Sequence, residues 1–349
     1  METLEPAGGP AATLVVVEEA SQIGEARRAA MAVAGAAGLG ETERGTLAVV
    51  VTELATNLAR HARRGRVLLS AVRRGAGGAA GVEVLALDEG PGIANVARAM
   101  EDGFSTGGTA GAGLGAVRRM AADFDLYTRP GESGGSGTAM VARVWNGAER
   151  GAGAVPRRVG TACVALAGEH VCGDAWVVIP GRDRTLVAVV DGLGHGPAAA
   201  TAAAEAVRVV LDRPHAAPAE LVQAAHGPLR ATRGAAMAVA AVYPAQGVVR
   251  FAGVGNVAAA VHADGSSRGL ASHNGTVGHA MRSVHEYQVD WPPDATLIMH
   301  TDGINTRWRL DAYPGIVRHD PALLAGVIYR DAARGHDDAT VLVLRGEMG

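Results

Sequence analysis

Four acidic sites, one of them a pair, stand in the second half of this 349-residue chain where apolar runs begin or end. Asp191 follows the run LVAVV at 186–190 and precedes Gly192, Gly194 and Gly196. Asp302 ends the apolar stretch 295–300 in the same way and is followed by Gly303. Asp174 opens the run 175–180, and the pair Asp337 and Asp338 stands before the last one, 339–344. Hard divalent cations take oxygen ligands, and two of them a few ångströms apart need several carboxylates to offset their charge. Glycine beside a carboxylate lets the backbone come close, so the Gly192 carbonyl is itself a candidate ligand. Such a cation pair activates water for in-line attack on phosphorus. The plainer reading, aspartate as a turn former, needs four unrelated turns to share one pattern.

A second set of chemically capable residues lies in the first half. Glu53, Asn57 and His61 recur at i, i+4 and i+8 beside the apolar stripe Leu47, Val50, Val51, Leu54, Leu58 and Ala62, so they share one helical face. An amide oxygen can ligate Mg²⁺ while a carboxylate one turn away orients or deprotonates a hydroxyl. An ordinary polar face of an amphipathic helix has the same pattern. Asp88 ends the run 82–87 and is followed by Gly90 and Gly92. Glycines 107, 108, 111, 113 and 115 precede and enter a helical pattern at 114–122, and their N–H groups suit a phosphate chain.

The elements that must hold these residues fall into two groups. Residues 13–18, 67–73, 82–87, 124–128 and 137–145 read as strands, and 23–37, 43–62, 94–101 and 114–122 as helices, the first capped by Ser21. Residues 146–158, NGAERGAGAVPRR, lack any hydrophobic period and read as a boundary. Beyond it, strands are expected at 161–167, 175–180, 186–190, 237–243, 248–253, 257–262, 286–289, 295–300 and 339–344, with helices after Pro197 and over 218–226. The domains are therefore 1–146, a linker 147–158, and 159–349. Aromatic content of 3% against 48% hydrophobic residues means cores of Ala, Val and Leu.

Bulk composition excludes several functions. A net charge of −3 argues against nucleic acid as a partner. All 32 basic residues are arginine, which excludes a P-loop lysine. No apolar run reaches the roughly 18 residues of a membrane span, and the start is acidic, so a cytoplasmic location is expected. Cys163 and Cys172 are expected as free buried thiols on adjacent strands.

ELATNLARHA, DEGPGI, GTAGAGLGA and GSGT occur in the order of the N, G1, G2 and terminal boxes of the GHKL (Bergerat) ATP-binding fold. The segment 11–146 resembles the anti-sigma-factor and stressosome switch serine kinases of that superfamily. The resemblance implies that Asn57 binds Mg²⁺, Glu53 is the catalytic base toward a substrate serine, and Asp88 contacts the adenine amino group. It further implies that Gly90 and Gly92 floor the pocket, that Gly111, Gly113 and Gly115 form the phosphate lid, and that Thr138 lies near the adenine. His61 has no phosphohistidine role by this match.

The second half carries GD, VVDGLGHG, TRGAAMAVAAV, AGVGN, HTDGI and GHDDAT, which resemble the SpoIIE-like branch of the PPM-type serine/threonine phosphatases. By that resemblance Asp191 is catalytic and bridges two Mn²⁺ or Mg²⁺ ions, with the Gly192 carbonyl, Asp302, Asp337 and Asp174 as further metal ligands. Asp337 is preferred to Asp338 because it stands three before Thr340. The short span after Asp302 leaves little room for the family's flap, and no counterpart of a phosphate-binding arginine is evident, with Arg182 and Arg233 unassigned. The implied architecture is mixed α/β in two domains, a Bergerat-type α/β sandwich followed by a PPM-type αββα sandwich. The implied function is a bifunctional regulator: an ATP-dependent kinase of a STAS-domain partner (an anti-sigma-factor antagonist or stressosome component) joined to a metal-dependent phosphoserine/phosphothreonine phosphatase. Two other readings remain open: an ATP-dependent clamp on a sigma factor fused to a phosphatase, and a nucleotide-regulated phosphatase without kinase activity.

Overall fold

The computed structural model describes residues 11–74, 78–100, 113–131, 136–147 and 158–346. Two compact units emerge: Ala12–Arg157 with Ala312–Asp331, and Arg158–Asp311 with Ala332–Gly349. Among the described residues no helix is long and apolar enough to cross a membrane.

In the first unit β1 (Thr13–Val16), α1 (Ile23–Ala36), α2 (Glu41–His61), β2 (Arg66–Arg73), β3 (Ala80–Leu87), α3 (Val96–Ala99), α4 (Leu114–Met120), β4 (Asp123–Arg129) and β5 (Gly137–Trp145) follow in order. The strands form one antiparallel sheet, β1-β2-β3-β5-β4. Period-two alternation turns Val82, Val84 and Ala86 of β3, with Met140, Ala142 and Val144 of β5, toward the helices. Leu47, Val50, Val51, Leu54 and Leu58 of α2 and Ala26, Ala30 and Ala34 of α1 meet them at helical spacing. The expected cap at Ser21 is not formed. A 3₁₀ turn, Ala20–Gln22, precedes α1, and the Gln22 side-chain oxygen accepts N–H bonds from Glu18 and Glu19.

The second unit holds β6 (Val159–Val164), β7 (Asp174–Pro180), β8 (Thr185–Gly192), α5 (Pro197–Asp212), α6 (Pro218–Leu229), β9 (Ala235–Tyr243), β10 (Val248–Val254), β11 (Ala258–Ala263), β12 (Ser266–Leu270), β13 (Tyr287–Asp290), β14 (Thr296–His300) and β15 (Ala339–Arg345). They make two five-stranded antiparallel sheets, β13-β10-β9-β8-β7 and β12-β11-β14-β15-β6. Val187, Val189, Phe251, Val261, Leu297 and Leu342 contribute to one core cluster drawn from both sheets. On the other face of the first sheet lie α5 and α6, whose buried alanines allow close approach without aromatic bulk. Serine- and glycine-rich β12 was not expected from pattern, because its strand character comes only from pairing with β11. Cys163 lies on β6 and Cys172 in the loop before β7, which belong to different sheets rather than adjacent strands. Both thiols are free and buried, 3.8 Å apart.

The last helix, α7 (Pro321–Ala332), departs from the sequence-based division. Its segment Ala312–Asp331 was expected with the second domain but clusters with the first sheet. The sheet's second face explains why. Leu85 and Leu87 on β3 and Val141 and Arg143 on β5 point away from α1 and α2 yet are buried. Gly326 of α7 lies against Leu85 and Leu87, so closely that a Cβ there would stand 2.6 Å from a Leu85 methyl. An antiparallel sheet normally leaves one face wet; here both are covered.

Candidate functional site

On α2, Glu53 and Asn57 lie one turn apart beside the buried Leu54–Leu58 stripe, and both are half-buried. Burial raises the Glu53 carboxyl above its ordinary pKa, with Arg60 opposing. Asp88 follows β3 and is 5% exposed. Its carboxylate accepts the Gly90 N–H at 2.7 Å, and its own N–H donates to the Thr138 carbonyl at 2.9 Å. Burial raises the Asp88 pKa, while the Gly90 N–H, the Arg330 charge and the Thr138 N–H pull it down.

Glycine is required around this carboxylate by contact. A Cβ on Gly90 would lie 2.8 Å from Asp88 Oδ1 and 3.0 Å from the carbonyl of His61 at the end of α2. Gly92 sits at φ +73°, and a Cβ there would strike the Arg129 carbonyl. The Thr138 hydroxyl lies 3.2 Å from that of Thr128, which accepts the Ile93 N–H at 2.8 Å. The fold thus draws Asp88, Gly90, Gly92, Thr138 and the end of α2 together. A buried carboxylate over a floor without side chains fits a flat base with an exocyclic amino group. Gly113 precedes α4 and Gly115 lies within it, whereas Gly111 falls outside the described residues.

In the second unit Asp174 and Asp191 are direct cross-strand partners on β7 and β8. Asp174 is buried and accepts the Thr301 hydroxyl at 2.8 Å. Asp302 follows β14 and accepts the Asn256 amide. Asp337 accepts the N–H of Asp338 at 2.9 Å. Both oxygens of Asp338 are engaged at 2.8 Å by backbone N–H groups, from Leu166 and Gly173, so this side chain ties down the loop before β7. No Cβ fits at Gly192, where it would collide with the Ala199 carbonyl and stand 2.9 Å from that of Gly173.

The charges of these carboxylates reach one another. Burial pushes the Asp191 carboxyl up to about 8, and the charges of Asp174, Asp302, Asp337 and Asp338 push it the same way. Burial also raises Asp174 well above the ordinary range. Among the described residues no three His, Cys, Asp or Glu groups close around a single point. The neighbouring carboxylates nevertheless act on Asp191 through their charge, and a cation placed beside it would relieve that repulsion. A donor set of hard oxygens with net negative charge fits Mg²⁺ or Mn²⁺.

Several partners were not singled out from sequence. Asn256 in AGVGN and Thr301 ahead of Asp302 hold carboxylates in place, and each had a signal in standing at a strand end next to glycine or aspartate. Arg330, far from the ATP-box motifs in sequence, donates to the Asp88 carbonyl at 2.8 Å. His195 is hydrogen-bonded to Glu169 at 2.6 Å, and an Arg233 nitrogen lies 3.0 Å from where a Gly194 Cβ would be.

Comparison with known proteins gives the same two halves. The family described as a histidine kinase-like ATPase domain matches residues 16–142, and that of stage II sporulation protein E (SpoIIE) matches residues 181–347. The serine/threonine-protein kinase RsbT of Bacillus subtilis (strain 168) is 36% identical over 120 residues, 34% of this chain and 86% of the relative. A chain from a structure described as "The bacterial stressosome: a modular system that has been adapted to control secondary messenger signaling" is 29% identical, with TM-score 0.52, covering 54% of this chain and 98% of that one. The PP2C phosphatase domain with a regulatory fragment of SpoIIE from Bacillus subtilis is 17% identical, with TM-score 0.45, covering 77% of this chain and 79% of that one. The chain belongs to the family of the serine/threonine-protein kinase RsbT, which its first half matches, and a SpoIIE-family domain follows that half.

Proposed function

We propose that this protein both writes and erases phosphoserine or phosphothreonine on a STAS-domain partner in a sigma-factor regulatory pathway. The observation that carries the reading is that Asp174 and Asp191 are paired across β7 and β8 in the same chain as the buried Asp88 carboxylate with its glycine floor. ATP, when bound, supplies the transferable phosphoryl group. Asp88 would accept the adenine amino group, Gly90, Gly92 and Thr138 would line the base, and Gly111, Gly113 and Gly115 would follow the phosphates. Asn57 offers its amide oxygen to Mg²⁺. Glu53, its pKa raised by burial, takes the proton of the incoming hydroxyl, since a base tuned toward neutral pH serves that role best.

In the second half two divalent cations, when bound, supply Lewis acidity for hydrolysis of the phosphoester. Asp191 and the Gly192 carbonyl, with Asp302, Asp337 and Asp174, would hold them. Thr301 and Asn256 orient Asp174 and Asp302, and Asp338 fixes the loop behind them. The test is a matched pair of assays on the full chain. Glu53→Gln is expected to bind ATP but transfer no label to a STAS-domain protein, while still hydrolysing p-nitrophenyl phosphate with Mn²⁺. If Glu53→Gln phosphorylates the partner at the wild-type rate, the kinase assignment fails.

A further inference from the structure

α7 is anchored on the first sheet at both ends. At its start the Arg143 guanidinium, 1% exposed, forks onto Asp320 with bonds of 2.6 and 2.7 Å and reaches Glu83 with a third of 2.7 Å. Asp125 accepts the Asp320 N–H at 2.7 Å. A planar guanidinium bound through two parallel N–H groups fixes orientation as well as position. Between the ends, every residue from Pro321 to Arg330 is buried, as a helix apolar on all sides must be.

At its far end Arg330, 5% exposed, reaches the main chain of Asp88. Nε and Nη2 are fixed on Asp331 at 2.6 and 2.9 Å. Nη1 donates to the Asp88 carbonyl and lies 2.9 Å from where a Cβ of Gly137 would be. Gly137, at φ +131°, begins the strand that carries Thr138. The Asp88 backbone is therefore pinned from two sides, its N–H by Thr138 and its carbonyl by Arg330.

The other end of the same stretch of chain returns to the second unit beside the metal carboxylates. Two residues after Asp302, Ile304 pairs with Ala333; Asn305 donates to the Ala332 carbonyl at 2.8 Å, and Arg334 to that of Gly303 at 2.8 Å. Asp337 follows three residues later. The excursion 306–331 thus leaves and re-enters the second unit at one isolated bridge, Ile304–Ala333, between two carboxylates.

We propose that Arg330 is a nucleotide-positioning residue supplied to the ATP pocket by the phosphatase half of the sequence, and that α7 carries nucleotide occupancy to the backbone next to Asp302 and Asp337. This rests on reading the Asp88 pocket as an ATP site. A bound base that tightens Asp88 tightens Arg330, and by linkage whatever holds Arg330 in place favours the base. The segment joining Arg330 to the Ile304–Ala333 pair is only Asp331 and Ala332.

The test uses the full chain with Mg²⁺ and the β,γ-imido analogue of ATP, with titration calorimetry and amide hydrogen exchange as readouts. Loss of one charge-assisted hydrogen bond is expected to weaken the analogue about tenfold in Arg330→Gln. Arg330→Lys, which keeps a donor and the charge, should recover part of that loss. In the wild type the analogue should slow exchange in peptides covering 321–334 and 302–305, and in Arg330→Gln at saturating analogue it should slow exchange near Asp88 only. Equal affinity of Arg330→Gln and wild type, or protection confined to the first half in the wild type, would overturn the proposal. A wild type that binds no analogue, yet hydrolyses p-nitrophenyl phosphate, would refute the ATP-site reading itself.

Discussion

Asp191 is ionised far less readily than a free aspartate, and this has a measurable consequence for the metal-free protein. Its folded pKa of about 8 lies above the ordinary value of the unfolded chain, about 3.9. Between those values the folded state holds a proton that the unfolded state has released, so stability falls as pH rises through that window. Denaturant titrations in EDTA at pH 5 and pH 8 should show the loss, and Asp191→Asn should remove most of it. The same substitution should lower Mn²⁺-dependent hydrolysis of p-nitrophenyl phosphate by at least about a hundredfold, since it takes away a charged ligand of the proposed metal site. Asn57→Ala should abolish Mg²⁺-ATP binding and leave that hydrolysis unchanged. The aspartates were legible in sequence because each stands at the edge of an apolar run beside glycine or another aspartate. Asn256 and Thr301 carried only the weaker signal of standing at strand ends, and Arg330 carried none, because its role comes from the main chain it is folded against.

At the scale of elements, most strands and helices were readable to within a few residues, since antiparallel sheets with one helical layer obey simple periodicities. The exception is instructive. β3 and β5 are buried on both faces, and their outward residues Leu85, Leu87 and Val141 announce a second covering layer that sequence cannot locate. That layer comes from far downstream, with Asp320 lying 177 residues after Arg143. Its fit is tight at Gly326, so Gly326→Val should cost about 1–3 kcal/mol through overpacking against Leu85 and Leu87, read as a lowered melting temperature. Arg143→Met should cost more, about 3–5 kcal/mol, because it strands Glu83 and Asp320 without their buried counter-charge.

For the whole molecule, the consequence is that the two halves of the sequence do not separate at the linker. Residues 1–157 alone would present Leu85, Leu87 and Val141 to water, and that fragment should aggregate where the full chain stays monodisperse in light scattering. The reading that one polypeptide both adds and removes phosphate is tested most directly by following label on a partner over time. The full chain, a STAS-domain protein, γ-labelled ATP, Mg²⁺ and Mn²⁺ are combined, with Asp191→Asn run beside the wild type. Label is expected to build up and persist with Asp191→Asn, and to rise and then decay with the wild type once ATP is exhausted. Absence of label with Asp191→Asn, or identical persistence in both, would contradict the account.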